Sequence, residues 1–452
     1  MSECDIRCFR FALALGAVLA GTCSYAFAGN NAFRNNSVGG ISISTTGVVA
    51  EPVSKDRNML LKHRRDDVKA AGEDMNRPVG LRMISLRQLE AAIANARQNN
   101  FGELPEEIRY LTGIQRIQYI FLYPEQNDVV IAGPGEGWEV DGNANVVGVT
   151  TGRPVILFDD LLIAFRSVNQ AREGLGISCS IDPTAEGRRK LNEFLARQTT
   201  FSRGVPAGIS RALGPQQITL TGVPEESHFA RVMVAADYRM KRYAMELSKA
   251  PIAGLPSFLD LMIKDKGKLD NMMPRWWLAC NYEPVARSDD GLAWQLRGPG
   301  VKAMTEDDFI GADGSTKASG RKNPIAQKWA DLFTEKYDEL SQKDIVFGEL
   351  RNLMDLCIVA ALVEREDMLA TVDCKLPILT DARSDLTHRE WNVPKTVATQ
   401  CSFRKVGREY LITASGGVQV ESWEVAQRTV VDAKVEDIRV KAKSDGRKWW
   451  WN

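Results

Sequence analysis

Apolar positions along the chain change period several times. Ser85-Leu86-Arg87-Gln88 has the form of a capping box. Leu86, Leu89, Ile93 and Ala96 follow at helical spacing and predict a helix there. Ile117 to Tyr123 and Val129 to Ala132 are rich in β-branched and aromatic residues and flank the polar stretch Pro124-Glu125-Gln126-Asn127-Asp128, which predicts a hairpin. From Arg153 the rhythm alternates. Strands are expected at Pro154–Phe158, Leu175–Ile181 and Gln216–Thr221, with helices between and after them. Asp159 and Asp160 are expected to cap the first helix, and Asp182 and Pro183 to start the second. The third carries Phe229, Val232, Met233, Ala236, Met240 and Tyr243 at helical spacing.

The later half mixes both periods. Trp276, Leu278, Cys280 and Tyr282 share one face of an alternating run, so adjacent Trp277 must face the other way. Ser288-Asp289-Asp290-Gly291 is a turn followed by the alternating Leu292, Trp294 and Leu296. Asn323-Pro324 opens a long amphipathic helix carrying Ile325, Trp329, Leu332, Phe333 and Leu340. Residues 353–363 are almost wholly apolar but too short to span a bilayer, which predicts a buried helix. Three strands are expected at Thr399–Phe403, Tyr410–Thr413 and Val418–Trp423. The fold class expected from this order is α+β: an alternating β-α middle, additional antiparallel hairpins and a long helical pair. The expected division is a signal peptide at 1–28, a linker with one short strand at 29–80, an α/β-like domain at 81–270 and an α+β domain at 271–452.

Residues 1–28 stand apart from this patterning. Arg7 and Arg10 precede the apolar stretch Phe11–Gly21, and Ala26-Phe27-Ala28 before Gly29 is an A-x-A cleavage pattern. Export to the periplasm or the medium is expected, with cleavage between Ala28 and Gly29 and no transmembrane anchor after processing. The 58 basic and 58 acidic residues cancel. That neutrality argues against a nucleic-acid partner, which usually needs a basic surplus. Five cysteines follow the cleavage site, an odd and sparse set that is no disulfide scaffold. Cys179, Cys280 and Cys357 sit in apolar contexts as core residues. Cys374 and Cys401, in loop or strand-edge contexts, are the pair expected to bridge if any does.

Four phrases carry a resemblance: GPGEGWEVDGNANVVGVTTGRPVILFDD at 133–160, PIAQKWADL at 324–332, FGELRNLMDLCIVAALV at 347–363 and SGGVQVESW at 415–423. Together they resemble an uncharacterised family of exported proteins from planctomycete bacteria, over about Ser85 to Trp423. The resemblance implies export and transfers no catalytic residue.

Motifs that carry chemistry are sparse. His63, His228 and His388 lie far apart, with no H-E-x-x-H and no C-x-x-C, so no metal site and no cofactor are expected; the histidines read as surface or helix-end residues. Gly133-Pro134-Gly135-Glu136-Gly137 leads into a strand-like segment, not a helix, and lacks the helix N-terminus that would hold a phosphate. Adjacent carboxylates such as Asp159-Asp160 do not face each other and form no dyad. The ligand-binding residues expected are Glu136 and Trp138 at the first Gly-containing connection, Arg153 in the second and Asp159 one strand later. They supply two acids, an aromatic face and a guanidinium fork that could orient a polar ligand. The plainer reading is that they serve folding. Trp277 and the terminal Trp449-Trp450-Trp451 are further aromatic surfaces suited to a sugar or a protein partner, or to packing. The expected function is binding or structure in the cell envelope, with an envelope glycan or protein as partner. The alternative is a carboxylate-dependent hydrolase of envelope glycans.

Overall fold

The structure, a computed structural model, describes residues 61–62, 64–99, 103–174, 176–198, 204–266, 274–306, 323–406, 408–443 and 448–452, with four short strand segments at Ser42–Ile43, Val49–Ala50, Asp308–Ile310 and Thr316–Ala318. The signal-like segment with Ala28 and Gly29, and most of the linker, lie outside these residues.

Strand β1 (Val79–Ser85) runs directly into α1 (Leu86–Asn99), where the Gln88 amide donates to the Ser85 hydroxyl at 3.0 Å, as the capping pattern predicts. β2 (Tyr119–Tyr123) and β3 (Asp128–Gly135) form the expected antiparallel hairpin. Asn127, at φ 51°, turns the chain between them. A second small hairpin pairs β4 (Trp138–Val140) with β5 (Val146–Gly148). The strand expected at Pro154–Phe158 does not form: Pro154 makes one bridge to Val147, and Phe158 already begins α2 (Phe158–Glu173). Leu157 is the N-cap of α2, so Asp159 and Asp160 lie inside its first turn instead of capping it, where they still meet the positive end of the helix dipole.

β6 (Ile177–Asp182), α3 (Ala185–Ala196), α4 (Val205–Leu213), β7 (Gln216–Thr221) and α5 (His228–Ala244) follow in the expected order. Thr184, not Asp182, caps α3, and Ser227 caps α5; each accepts a backbone N–H three residues on. Beyond them come β8 (Arg275–Asn281), β9 (Val285–Arg287), β10 (Ala293–Gln295) and β11 (Gly300–Glu306). The long helix expected from Pro324 is divided at Lys336 into α6 (Pro324–Glu335) and α7 (Tyr337–Lys343). The buried helix is α8 (Ile345–Arg365), and β12 (Thr396–Val397), β13 (Ser415–Val420), β14 (Thr429–Val431) and β15 (Trp450–Trp451) complete the two large sheets.

One sheet has the order β11-β8-β13-β6-β7-β12, the other β14-β9-β10-β2-β3-β1-β15. β6 and β7 are antiparallel neighbours joined by the α3–α4 pair, so the alternating order folds as an α+β sheet and not as a wound parallel one. Each sheet takes strands from both sides of residue 270: in the six-stranded sheet β13 inserts between β8 and β6, parallel to the first and antiparallel to the second, and in the seven-stranded sheet β10 pairs with β2 and β15 with β1. The expected boundary between 81–270 and 271–452 therefore cuts through both sheets.

A continuous apolar cluster packs the helices on one face of the six-stranded sheet and reaches the inner face of the seven-stranded one. Trp276, Leu278, Val418, Val420, Ile177 and Ile181 supply the first face, and Ile84, Ile120, Leu122, Val129 and Ile131 the second. Phe258, Trp276, Trp329, Phe333 and Phe347 form a run of ring contacts at 5.1–5.5 Å through this core. Each such pair contributes about 0.5–1.5 kcal/mol beyond its burial. The outer face of the seven-stranded sheet is covered as well, with Met83, Phe121 and Val130 packed against Val435 and Ala442. The terminal tryptophans belong to this packing: Trp450 and Trp451 pair with Ile84 and Met83, and the Trp451 indole donates to the Ala442 carbonyl at 2.8 Å.

Candidate functional site

Of the four residues expected to bind a ligand, Glu136, Trp138 and Asp159 are engaged by other parts of the protein. Glu136 is buried and its carboxylate is fully engaged. It accepts from the Thr150 and Thr151 amides at 2.9 Å each, from the Gln115 side chain at 2.7 Å and from the Thr151 hydroxyl. Burial pushes this carboxyl up, but the bonds from Thr151 and Thr150 outweigh it and leave the group below its ordinary value. Trp138 is buried too, tilted against Tyr110 at 5.5 Å, with its indole donating to the Lys69 carbonyl at 2.9 Å. Half-buried Arg153 gives its carbonyl to the Gly148 amide. Asp159 accepts from Arg389 at 2.8 Å and belongs to a different cluster. The plainer reading holds for Glu136 and Trp138: both hold the 136–153 loops in place.

Cys374 and Cys401 do not bridge. Both are free: Cys374 is packed in the main core, and Cys401 sits beside the small α3–α4 cluster of Leu191, Val205, Ile209 and Leu213. Each thiol satisfies the apolar requirement of a different layer. Cys179, Cys280 and Cys357 are buried as expected.

The six-stranded sheet has an outer face that no helix covers among the described residues. Its alternation is regular: Arg275 and Trp277 on β8, Ser178 and Ser180 on β6, Gln419 on β13 and Glu306 on β11 all lie opposite the core-facing set and are half-buried or exposed. In register, Trp277 stands between Met304 and Gly417, and Gly417 faces Ser180. A side chain at Gly417 would put its Cβ 1.8 Å from the Cys179 carbonyl oxygen, and one at Gly416, where φ is 140°, 1.5 Å from that of Trp276. Glycine is required at both for β13 to lie between β6 and β8. The same requirement leaves a bare floor beside Trp277. A concavity of about 370 Å³ lies there, walled by Trp277 and the Ser178 and Ser180 hydroxyls, with Arg275, Glu306 and Gln419 also lining it. The Arg275 guanidinium sits 5.7 Å from the Trp277 ring centre. The adjacent Trp276-Trp277 pair was the legible signal for this face.

A second polar concentration is buried at the N-terminal ends of α2 and α5. His228, the first residue of α5, is buried with its Nδ1 2.7 Å from Asp160 and its Nε2 3.8 Å from Glu349. Burial alone would lower the imidazole pKa, but Asp160 and then Glu349 outweigh it and raise the value to about 9. Burial lifts the Asp160 and Glu349 carboxyls, against the opposing pull of His228. Arg231, one turn along α5, is buried so fully that its pKa is brought down to about 9, with Glu349 opposing. His228 was expected at the surface or at a helix end. It lies at a helix end, but inside; nothing in its local sequence points to Asp160 or Glu349. A third buried group is complete in itself: Asp355 accepts from Arg116 at 2.9 Å and from the Tyr282 hydroxyl at 2.6 Å. Among the described residues no set of three or more His, Cys, Asp or Glu side chains is arranged to hold a metal ion. No helix among them is long and apolar enough to cross a membrane.

Residues 179–258 match a family described as "Protein of unknown function (DUF1598)". This segment contributes β6, β7 and α5, and with them Ser180 of the concavity and His228 and Arg231 of the buried cluster. No curated protein and no solved structure matches the chain.

Proposed function

We propose that the chain is an exported cell-envelope protein that binds an envelope glycan on the open face of its six-stranded sheet and performs no chemistry of its own. The A-x-A pattern at residues 26–28 and the likeness to exported planctomycete proteins support export. One observation carries the binding reading: Trp277 stands on an uncovered sheet face beside a glycine floor, with serine hydroxyls and the Gln419 amide around it. An indole face takes the C–H face of a sugar ring, and short polar side chains take its hydroxyls. A glycan hydrolase needs two carboxyl groups flanking the scissile bond at roughly 5–9.5 Å. Among the described residues the concavity is lined by one, Glu306. That favours binding over the carboxylate-dependent hydrolase.

Calorimetric titration of the mature protein with soluble peptidoglycan and polysaccharide fragments tests this reading. Saturable binding is expected, lost in Trp277→Ala with the thermal transition unchanged. Binding that survives Trp277→Ala moves the site elsewhere, and bond cleavage by the purified protein would restore the hydrolase. N-terminal sequencing of exported material should begin at Gly29; a retained Met1 would defeat the export reading.

A further inference from the structure

The outward side of the six-stranded sheet continues past the concavity. Trp277 on β8 stands beside Gly417 on β13, Gly417 beside Ser180 on β6, and Ser180 beside Thr219 on β7. A second row runs parallel to the first, through Ala279, Gln419, Ser178 and Thr221. Neighbouring strands lie about 4.8 Å apart, so each row crosses about 14 Å of sheet from β8 to β7. Residues two apart on one strand are separated by about 7 Å, which sets the distance between the rows.

Beyond Trp277 the rows carry short, uncharged side chains, with Gln419 the one longer member. Its amide nitrogen is bound to Glu421 at 2.7 Å. Ser178, Ser180 and Thr221 are half-buried and Thr219 is exposed. Among the described residues, none of these four hydroxyls bonds to another part of the protein. The indole closes one side of the concavity. On the other side the bare floor at Gly417 leads onto the serines of β6 and then the threonines of β7, with no long side chain in the way.

Charge borders this strip and stays out of it. Arg275 and Glu306 face each other across β8 and β11, and Lys302 stands opposite Ala279. Asp182 ends β6, and Glu421 follows β13. Carboxylates outnumber cations in this border, so a carboxylated ligand would meet like charge. Hydroxyls both donate and accept hydrogen bonds. Two rows of them can therefore serve the hydroxyls on both edges of a sugar chain lying between. The indole takes a ring through its C–H face. Rings joined through equatorial bonds, as in chains of β-linked glucose or N-acetylglucosamine, keep that face flat and free.

We propose that this face takes a neutral, β-linked glycan chain laid across the strands, stacked on Trp277 at one end and held between the hydroxyl rows of β6 and β7 at the other. The inference rests on the glycan-binding reading above and adds the charge, length and direction of the ligand. A site confined to Trp277 would be filled by one ring. A strip about 14 Å long rewards further rings until β7 is reached.

Calorimetric titration of the purified protein with N-acetylglucosamine and β-linked glucose oligosaccharides, from the monosaccharide to the hexasaccharide, tests the proposal, with oligogalacturonates of matched length as carboxylated probes. Affinity for the better neutral series should rise at least tenfold from disaccharide to tetrasaccharide and then level off, and oligogalacturonate should bind at least tenfold more weakly. Thr219→Val combined with Thr221→Val removes two hydroxyls and keeps β-branched side chains on β7. It should bring the tetrasaccharide down to the affinity of the disaccharide, leave the disaccharide unchanged and leave the thermal transition in place. Trp277→Ala should abolish binding at every length. An affinity independent of length, or a tetrasaccharide indifferent to the double substitution, overturns the placement across the strands; if Trp277→Ala still abolishes binding, the glycan reading stands without it. A preference for oligogalacturonate overturns the neutral ligand. Binding of no sugar, or binding that survives Trp277→Ala, defeats the reading and the inference together. Sedimentation of the free protein checks the other occupant: a dimer lost in Trp277→Ala would mean that a second copy covers this face, and would overturn the proposal. If the double variant fails to fold, the length series on the wild-type protein decides the question.

Discussion

Replacing Glu136 by Gln separates a structural carboxylate from a ligand-binding one. The Glu136 carboxylate accepts from the Thr150 and Thr151 amides, the Gln115 amide and the Thr151 hydroxyl, and it is buried. Hydrogen bonds to a charged group contribute about 1.5–3 kcal/mol each. Gln keeps the size and one acceptor oxygen but turns an –NH₂ toward backbone or side-chain donors that have no other acceptor. Some of those donors are then left buried and unpaired, at about 1–3 kcal/mol each. The expected loss is about 3–5 kcal/mol, the range found when one partner of a buried charged pair is removed. Urea unfolding followed by circular dichroism measures it, and the midpoint should fall with the slope unchanged. The carboxyl is held below its ordinary value, so its stabilising contribution is present above the unfolded pKa of about 4.3 and is lost as pH falls through the lower folded value. Wild-type stability should accordingly fall more steeply than that of Glu136→Gln on acidification below pH 4. A Glu136→Gln protein of wild-type stability, with ligand binding reduced, would refute the structural role and return Glu136 to the binding site.

Asp355→Ala should cost about 3–5 kcal/mol in urea unfolding, because Arg116 and Tyr282 lose their shared acceptor inside the protein. A loss below about 1 kcal/mol would mean that water replaces the carboxylate. Gly417→Ala should destabilise by about 3 kcal/mol or more in thermal denaturation, since its Cβ must displace the Cys179 carbonyl and part β13 from β6; an unchanged transition would show that the strands are less closely apposed. His228 carries a raised folded pKa, so its contribution is fully present below about pH 6.5 and is lost as pH rises through about 9. Wild-type stability should drop by on the order of 3 kcal/mol between pH 6 and pH 10, and a flat profile would place His228 in a neutral, unpaired state.

Local physics made much of the element list legible. Period-two runs at Ile177–Asp182, Gln216–Thr221 and Arg275–Asn281 and the period-3.6 run at Pro324–Glu335 each encode one buried face, and the side-chain period alone identifies them; the helix His228–Ala244 is buried nearly all round. The adjacency of Trp276 and Trp277 foretold that the two face opposite sides of their strand, because successive strand residues point oppositely, but not that the Trp277 side is open. Pro154–Phe158 was misread because a short apolar run has no period of its own, and burial beside α8 suits it without a strand. Only tertiary structure decided the rest. β13 reaches β8 across about 140 residues of sequence, a pairing no local pattern announces, and it is this insertion that merges the two expected domains and lays Gly417 beside Trp277. The same holds for the chemistry. Glu136 and Trp138 looked available in a glycine-rich loop, and folding spent them on Thr150, Thr151 and Lys69. His228 looked inert, and folding set it between Asp160 and Glu349, 68 and 121 positions away in the chain. Period and capping are properties of neighbours in sequence. The charge around a buried imidazole is a property of neighbours in space, which exist only once the helices have packed.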